Sequence, residues 1–155
     1  MEVGSGDLVS KKSFGAKFKL HVEFRVPFMP EAKGVDRGNS GVFLLGEREI
    51  QILDSYGIKE AGVEDCGALY GVKAPLSNAC KPPSVWQTFD IVFIPAWFDT
   101  GEKRIPAQIT VHHNGVLIHD RLPLDMNTKD SGPIMLQQYG HAVQFRNIWL
   151  LPLTK

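Results

Sequence analysis

The feature that most constrains this chain is the run Phe18-Lys19-Leu20-His21-Val22-Glu23-Phe24-Arg25-Val26, in which apolar and polar residues alternate without a break. Successive side chains of an extended chain point to opposite faces, so the run has one apolar and one polar face. A helix of the same residues would scatter its apolar groups around the axis. The segment is therefore a half-buried strand, and its backbone must find hydrogen-bond partners elsewhere in the chain. The polar face, with His21, Glu23 and Arg25, either lines a groove or is simply solvated.

The rest of the sequence supplies those partners. Val42-Phe43-Leu44-Leu45 reads as a short strand buried on both faces or nearly so, and residues 49–53 alternate again. Residues 87–94 put Phe89, Ile91 and Phe93 on one face. Residues 107–113 and 116–120 flank Asn114-Gly115, the strongest short hairpin signal. Residues 133–138 and 142–151 read as two more strands. No segment has helical periodicity. Six to eight strands without helices predict an all-β sandwich or barrel. A length of 155 residues suits one domain, 1–155, with one core. Residues 55–85 stand apart, with little periodicity and many Gly, Pro and Asn. An irregular stretch of that length in a compact domain tends to be functional.

Composition excludes some partners. Seventeen basic and seventeen acidic side chains give zero net charge. No basic run interleaves with aromatics, so nucleic acid is not an expected partner, and the neutral balance argues against anionic membrane surfaces. No apolar stretch approaches the roughly 20 residues of a membrane helix. Met1-Glu2-Val3-Gly4-Ser5-Gly6-Asp7 has neither the basic start nor the apolar run of a leader. Cys66 and Cys80 flank one loop-like stretch. They are either a disulfide in an oxidising compartment or two unpaired small apolar residues. His112 and His113 point to opposite faces of their strand, and one can pair with His119 across the Asn-Gly turn. No Cys/His spacing matches a structural zinc site. Calcium can bind such sandwiches through Asp, Asn and carbonyl oxygens. No metal and no cofactor is assigned.

The richest chemistry lies in Glu49-Ile50-Gln51-Ile52-Leu53-Asp54. Ile50 and Ile52 face the core, so Glu49 and Gln51 face the other way together. Strict alternation puts Asp54 on the core face, where an unpaired carboxylate is expensive. A bulge near Ile52 or Leu53 would bring Asp54 round to join Glu49. The pattern resembles the E-x-D-x-x-E motif of jelly-roll endoglucanases such as laminarinases and lichenases, with Gln51 in place of the middle acid and Asp54 in place of the last.

Further segments occur in a telling order: Arg37-Gly38-Asn39-Ser40-Gly41-Val42-Phe43, the Glu49–Asp54 motif, Gly67-Ala68-Leu69-Tyr70-Gly71 with Ala74-Pro75, Trp86-Gln87-Thr88-Phe89-Asp90-Ile91, Asn114-Gly115-Val116, and Phe145-Arg146-Asn147-Ile148-Trp149. Together, from about Gly6 to Leu153, they resemble the 3-keto-disaccharide hydrolase family. The resemblance implies a concanavalin A-like jelly roll, two antiparallel sheets with a concave sugar-binding face, and export by bacteria, secreted or periplasmic. Relatives carry further strands ahead of Gly6-Asp7. A sandwich short of those strands is therefore expected, and its open edge would invite pairing, a homodimer for example.

The expected activity is cleavage of a glycosidic bond in a 3-keto-disaccharide or 3-keto-glycoside, by hydrolysis or by elimination and hydration. Glu49 and Asp54 are the expected acid/base pair, with His141 in its polar turn as a further acid/base candidate. Arg37, Asn39, Gln51, Tyr70, Trp86, Gln137 and Arg146 are the expected substrate-binding residues, Tyr70 and Trp86 by stacking on a sugar ring or else as core or loop packing, and Arg37 by stabilising oxyanion charge or else as the partner of one carboxylate. Arg146 is equally a partner for Glu23. A non-catalytic carbohydrate-binding module on the same fold is the competing reading.

Overall fold

The computed structural model describes residues 6–154. The first five residues, which include most of the segment read as lacking a leader, lie outside the described residues. The alternating run forms β2 (Phe18–Arg25), with every second residue buried. It follows β1 (Leu8–Phe14) and precedes β3 (Ser40–Leu44) and β4 (Arg48–Ile52). After residues 53–86, which contain no strand, come β5 (Gln87–Ile94) and the two-residue strands β6 (Trp97–Phe98) and β7 (Arg104–Ile105). The chain ends with β8 (Gln108–His113), β9 (Val116–Pro123), β10 (Gly132–Leu136) and β11 (Gln144–Pro152). Among the described residues the one helical segment is a 3-10 turn at Gly34–Asp36, and no helix is long and apolar enough to cross a membrane.

The strands form an antiparallel β-sandwich. One sheet has the order β1-β10-β3-β4 and the other β11-β2-β5-β8-β9, with β6 and β7 as a separate ribbon. The core between the sheets follows from the alternation. Phe18, Leu20, Val22 and Phe24 of β2 meet Phe89, Ile91 and Phe93 of β5, and Phe24 packs on Phe89 with centroids 4.7 Å apart. Val42 and Leu44 of β3 and Ile50 and Ile52 of β4 close the core from the opposite sheet. Each such side chain contributes about 1.5–3 kcal/mol by leaving water. Asn114 and Gly115 both have positive φ, 51° and 81°, as a tight turn matching the twist of β8 and β9 requires.

Strand β3 is buried on nearly both faces, as its apolar run implies, with Phe43 alone partly covered. Strand β1 carries no alternation to announce it, since it is an edge strand exposed along most of its length. In the β8–β9 hairpin, His119 lies opposite Val111 rather than a histidine. Its Nε2 instead meets the Gly67 carbonyl at 2.8 Å.

Candidate functional site

Because Ile50 and Ile52 are buried in the core, Glu49 and Gln51 stand on the outer face of the four-stranded sheet. The β3–β4 register pairs Gly41 with Gln51 and Phe43 with Glu49, and Gln137, just past β10, bonds through its N–H to the Gly41 carbonyl at 2.9 Å. Strand β4 would be a bare edge, but residues 67–70 cover it. The Gln51 N–H donates to the Ala68 carbonyl (3.0 Å), the Gly67 N–H to the Gln51 carbonyl (2.8 Å), and the Tyr70 N–H to the Glu49 carbonyl (3.0 Å). The irregular segment thus walls one side of a cleft of about 120 Å³ lined by Val35, Asn39, Glu49, Gln51, Tyr70, Gln137 and Tyr139.

Gly41 is essential to this geometry. A Cβ there would come within 2.8 Å of Cγ and Cδ of Glu49 and closer still to Oε1. The Glu49 side chain therefore lies across the bare Gly41 backbone. Its carboxyl makes no hydrogen bond among the described residues, and burial pushes its pKa up to about 7. Two neighbours are also unsatisfied: Gln51 Oε1 and Gln137 Oε1 are buried acceptors without partners. A carboxyl poised near neutrality beside orphan acceptors is prepared for proton transfer on a hydroxyl-rich ligand.

Asp54 does not join this group. The β3–β4 ladder runs without a shift from Leu44↔Arg48 to Ser40↔Ile52. Just past it the phase slips, the Asp54 N–H bonding the Arg37 carbonyl at 2.8 Å, but the slip does not turn Asp54 into the cleft. Leu53 follows Ile52 into the core, and Asp54 is 4% exposed. Its carboxylate accepts from Arg37 Nη2 at 2.7 Å and from the Tyr56 N–H at 3.2 Å. The expense of a buried carboxylate is met by an ion pair rather than by re-aiming. Arg37 is held by the same pair, and neither residue lines the cleft.

His141 sits behind the cleft wall. Its Nδ1 accepts the Asn39 N–H at 2.9 Å, so the neutral ring carries its proton on Nε2. Tyr139 lies 6.0 Å from it, centroid to centroid. Trp86 and Arg146 are elsewhere, on the outer face of the five-stranded sheet. There the Arg146 guanidinium lies 4.0 Å and that of Arg25 5.0 Å from the Trp86 ring centre. Arg146 also donates to Glu23 at 2.6 Å. Of the residues singled out by sequence, the structure gathers Glu49, Gln51, Asn39, Tyr70 and Gln137. It sets Asp54, Arg37 and His141 behind them, and leaves Trp86 and Arg146 apart. Gly41 lay within a quoted motif without being singled out, Tyr139 lay in the polar turn of His141, and Val35 carried no signal. A larger groove of about 320 Å³, reaching from Leu8 and Phe14 to Ile148 and Leu150, is almost wholly apolar and holds no titratable side chain.

Cys66 and Cys80, read as a disulfide or two packing residues, are free thiols placed side by side, with a ring nitrogen of His113 in the same cluster. Burial, then the neighbouring Cys80, pushes the Cys66 thiol up. Burial pushes His113 down to about 4.

Known proteins agree with the fold. No curated protein matches the chain. A crystal structure from Parabacteroides distasonis ATCC 8503, provisionally named a glycosyl hydrolase, superposes with a TM-score of 0.82 at 31% identity, over 96% of this chain and 68% of the other. A second so named from the same organism gives 0.70 at 22% identity, over 96% and 83%, and a third 0.65 at 16%, over 98% and 79%, which shows the fold alone. Residues 1–151 match the family described as the 3-keto-alpha-glucoside-1,2-lyase-like domain. The chain belongs to that family, the 3-keto-disaccharide hydrolases that its motifs resemble.

Proposed function

We propose that the Glu49 cleft binds a 3-keto-glycoside and breaks its glycosidic bond by elimination, with Glu49 moving the proton. The observation that carries this reading is the single carboxyl in the cleft, uncharged by its neighbours and raised to about 7 by burial. Two-carboxylate hydrolysis needs a second acid about 5–9.5 Å away across the scissile bond, and Asp54 is engaged with Arg37 outside the cleft lining.

A ketone at C3 acidifies the proton on C2 and places the C1 oxygen β to the carbonyl. Glu49 as carboxylate takes the C2 proton, the C2–H electrons form the C1=C2 bond, and the C1–O bond breaks. The leaving oxygen takes up a proton, which Glu49 can return to it. The released fragment is an alcohol or sugar, and water added across C1=C2 completes net hydrolysis. Charge developing on the ketone oxygen needs donors. The Asn39 carboxamide, which makes no hydrogen bond among the described residues, and the cleft tyrosines Tyr70 and Tyr139 supply them. Gln51 and Gln137 accept from sugar hydroxyls. Asp54, through Arg37, and His141, through the Asn39 backbone, are positioning residues. Substrates carrying the ketone are the oxidised disaccharides expected of the family, in an exported protein.

Exposed Tyr70 and Tyr139 beside the cleft also suit a non-catalytic sugar-binding module. Incubation with 3-keto-trehalose and 3-keto-glucosides separates the readings: sugar release by the native chain and its loss in Glu49→Gln is expected. Binding without turnover favours the module. The open edge at β1 is the proposed site of a homodimer, and a monomeric light-scattering mass would count against it.

A further inference from the structure

We propose that Cys66, Cys80 and His113 form a three-ligand site for a thiophilic transition-metal ion, which clamps the irregular segment onto β8. The two sulfurs and one imidazole nitrogen lie within 4.8 Å of one another. Zn–S bonds of about 2.3 Å and Zn–N bonds of about 2.0–2.1 Å place tetrahedral ligand atoms about 3.5–3.8 Å apart, so a small contraction admits the ion.

The second observation concerns the histidine. Gln87 Oε1 receives the Lys81 N–H at 2.9 Å, an obligate donor, so that atom is an acceptor. His113 Nε2, 3.0 Å from the same oxygen, must then carry the ring proton. This leaves Nδ1 as a bare lone pair. Nδ1 is buried without a partner in a side chain that is fully covered, and it lies beside Gly67, the neighbour of Cys66. A metal-bound imidazole has this arrangement, its far N–H held by a carbonyl oxygen that fixes tautomer and orientation. A disulfide between the cysteines would satisfy the sulfurs and leave Nδ1 a buried acceptor without a partner, which is costly. A metal satisfies all three atoms.

The surroundings are built to hold the ligands still. The Cys66 N–H donates to Ser55 Oγ (3.0 Å), which bonds Asp65 (2.9 Å), and the Cys80 N–H donates to Asn78 Oδ1 (3.0 Å). Asn78 in turn ties down the Ser55 and Ile58 carbonyls. Binding of Zn²⁺ forms two Zn–S bonds and one Zn–N bond and releases both thiol protons to solvent. The bare fourth position takes a water. The clamp reaches the sugar cleft only through residues 67–70, so it does not depend on the proposed activity.

The test uses the full chain, reduced with a phosphine, stripped with a chelator, and titrated with Zn²⁺ and with Co²⁺. One equivalent of zinc is expected, with a raised thermal midpoint and a thiolate-to-cobalt charge-transfer band. Cys80→Ser, at a half-buried position, and His113→Gln should each lose the equivalent and the band. Circular dichroism of the metal-free variants shows that they fold. A reduced native chain that binds no zinc and shows no cobalt band would overturn the site. So would a band that persists in folded Cys80→Ser and His113→Gln.

Discussion

The two outer faces of the sandwich make a controlled comparison, since both carry polar side chains on alternating strands. On the five-stranded sheet the acids of β2 and β5 are answered. Asp90 takes Lys19 at 3.0 Å and His21 at 3.2 Å, Trp149 stacks on His21 at 5.0 Å, and Glu23 holds Arg146 and Asn147. Hydrogen bonds from Asn147 and Arg146 hold Glu23 below the usual carboxylate range. For Asp90, burial pushes the other way and is outweighed by Lys19 and His21. On the four-stranded sheet the pattern inverts. Glu49 has no partner and is raised, and Gln51 and Gln137 keep orphan acceptors. A protein surface that pairs its own groups is finished. One that leaves them unpaired in a cleft awaits a ligand.

The sharpest break of that comparison is Glu49→Gln. General acid–base catalysis contributes about 10²–10⁴-fold, so kcat on a 3-keto-glucoside should fall about 10³-fold with little change in KM. A variant retaining native kcat would remove Glu49 from the chemistry. Next is Gly41→Ala. The new methyl meets only the flexible end of Glu49, so the fold tolerates it while the carboxyl is displaced. A misplacement of about 1 Å costs about 10²-fold. Steady-state rates alongside an unchanged melting curve check it.

The pH profile then distinguishes two uses of the same carboxyl. A base works deprotonated. With Glu49 at about 7, log kcat/KM should climb with unit slope below pH 7 and level off above it. If Glu49 instead served as the acid of a two-carboxylate hydrolysis, kcat/KM would fall above pH 7. The direction of one limb, read on a 3-keto-glucoside, decides between elimination and hydrolysis.

How far the sequence could foresee this differs between the two faces for physical reasons. Alternation fixed which side of β4 Glu49 and Gln51 occupy, because the core face of a strand leaves no choice. It also located β2, β5 and the Asn114-Gly115 hairpin. What alternation cannot carry is phase beyond the end of a strand: Asp54 lies two residues past Ile52, and its direction was set by Arg37, seventeen positions away. Trp86 and Arg146 were assigned to the cleft because motif order says nothing about which sheet a residue joins. Strand β1 has no apolar face to alternate. The Cys66–Cys80–His113 cluster spans segments whose spacing matches no zinc motif, and only tertiary contact assembles it.

A milder probe of the cleft is its orphan acceptors. Gln51→Leu or Gln137→Leu removes one acceptor for a sugar hydroxyl. At about 1 kcal/mol per neutral hydrogen bond, the expected rise in KM is about fivefold with kcat nearly kept. The buried Gln137 acceptor is unsatisfied in the free protein, so Gln137→Leu should hold or gain thermal stability, whereas Gln51→Leu also gives up the Gln51 Nε2 bond to the Glu64 carbonyl (3.4 Å). A loss of stability in Gln137→Leu would mean the amide was satisfied internally and the cleft less open than its geometry implies.

The smallest expected effect is the most demanding test of the comparison. Arg146→Ala on the five-stranded face removes one of the two partners of Glu23 and one guanidinium from Trp86. Arg146 is 54% exposed, and exposed ion pairs add little because water screens both charges and two long side chains must be ordered. Sugar-releasing activity should stay within about twofold of native, with a small fall in thermal midpoint that shrinks as salt is raised. The control is Gln137→Leu measured in parallel. Arg146→Ala abolishing turnover while Gln137→Leu leaves KM untouched would place substrate on the paired face. A satisfied network would then be no sign of a finished surface, and the unsatisfied groups of the Glu49 cleft would need another cause.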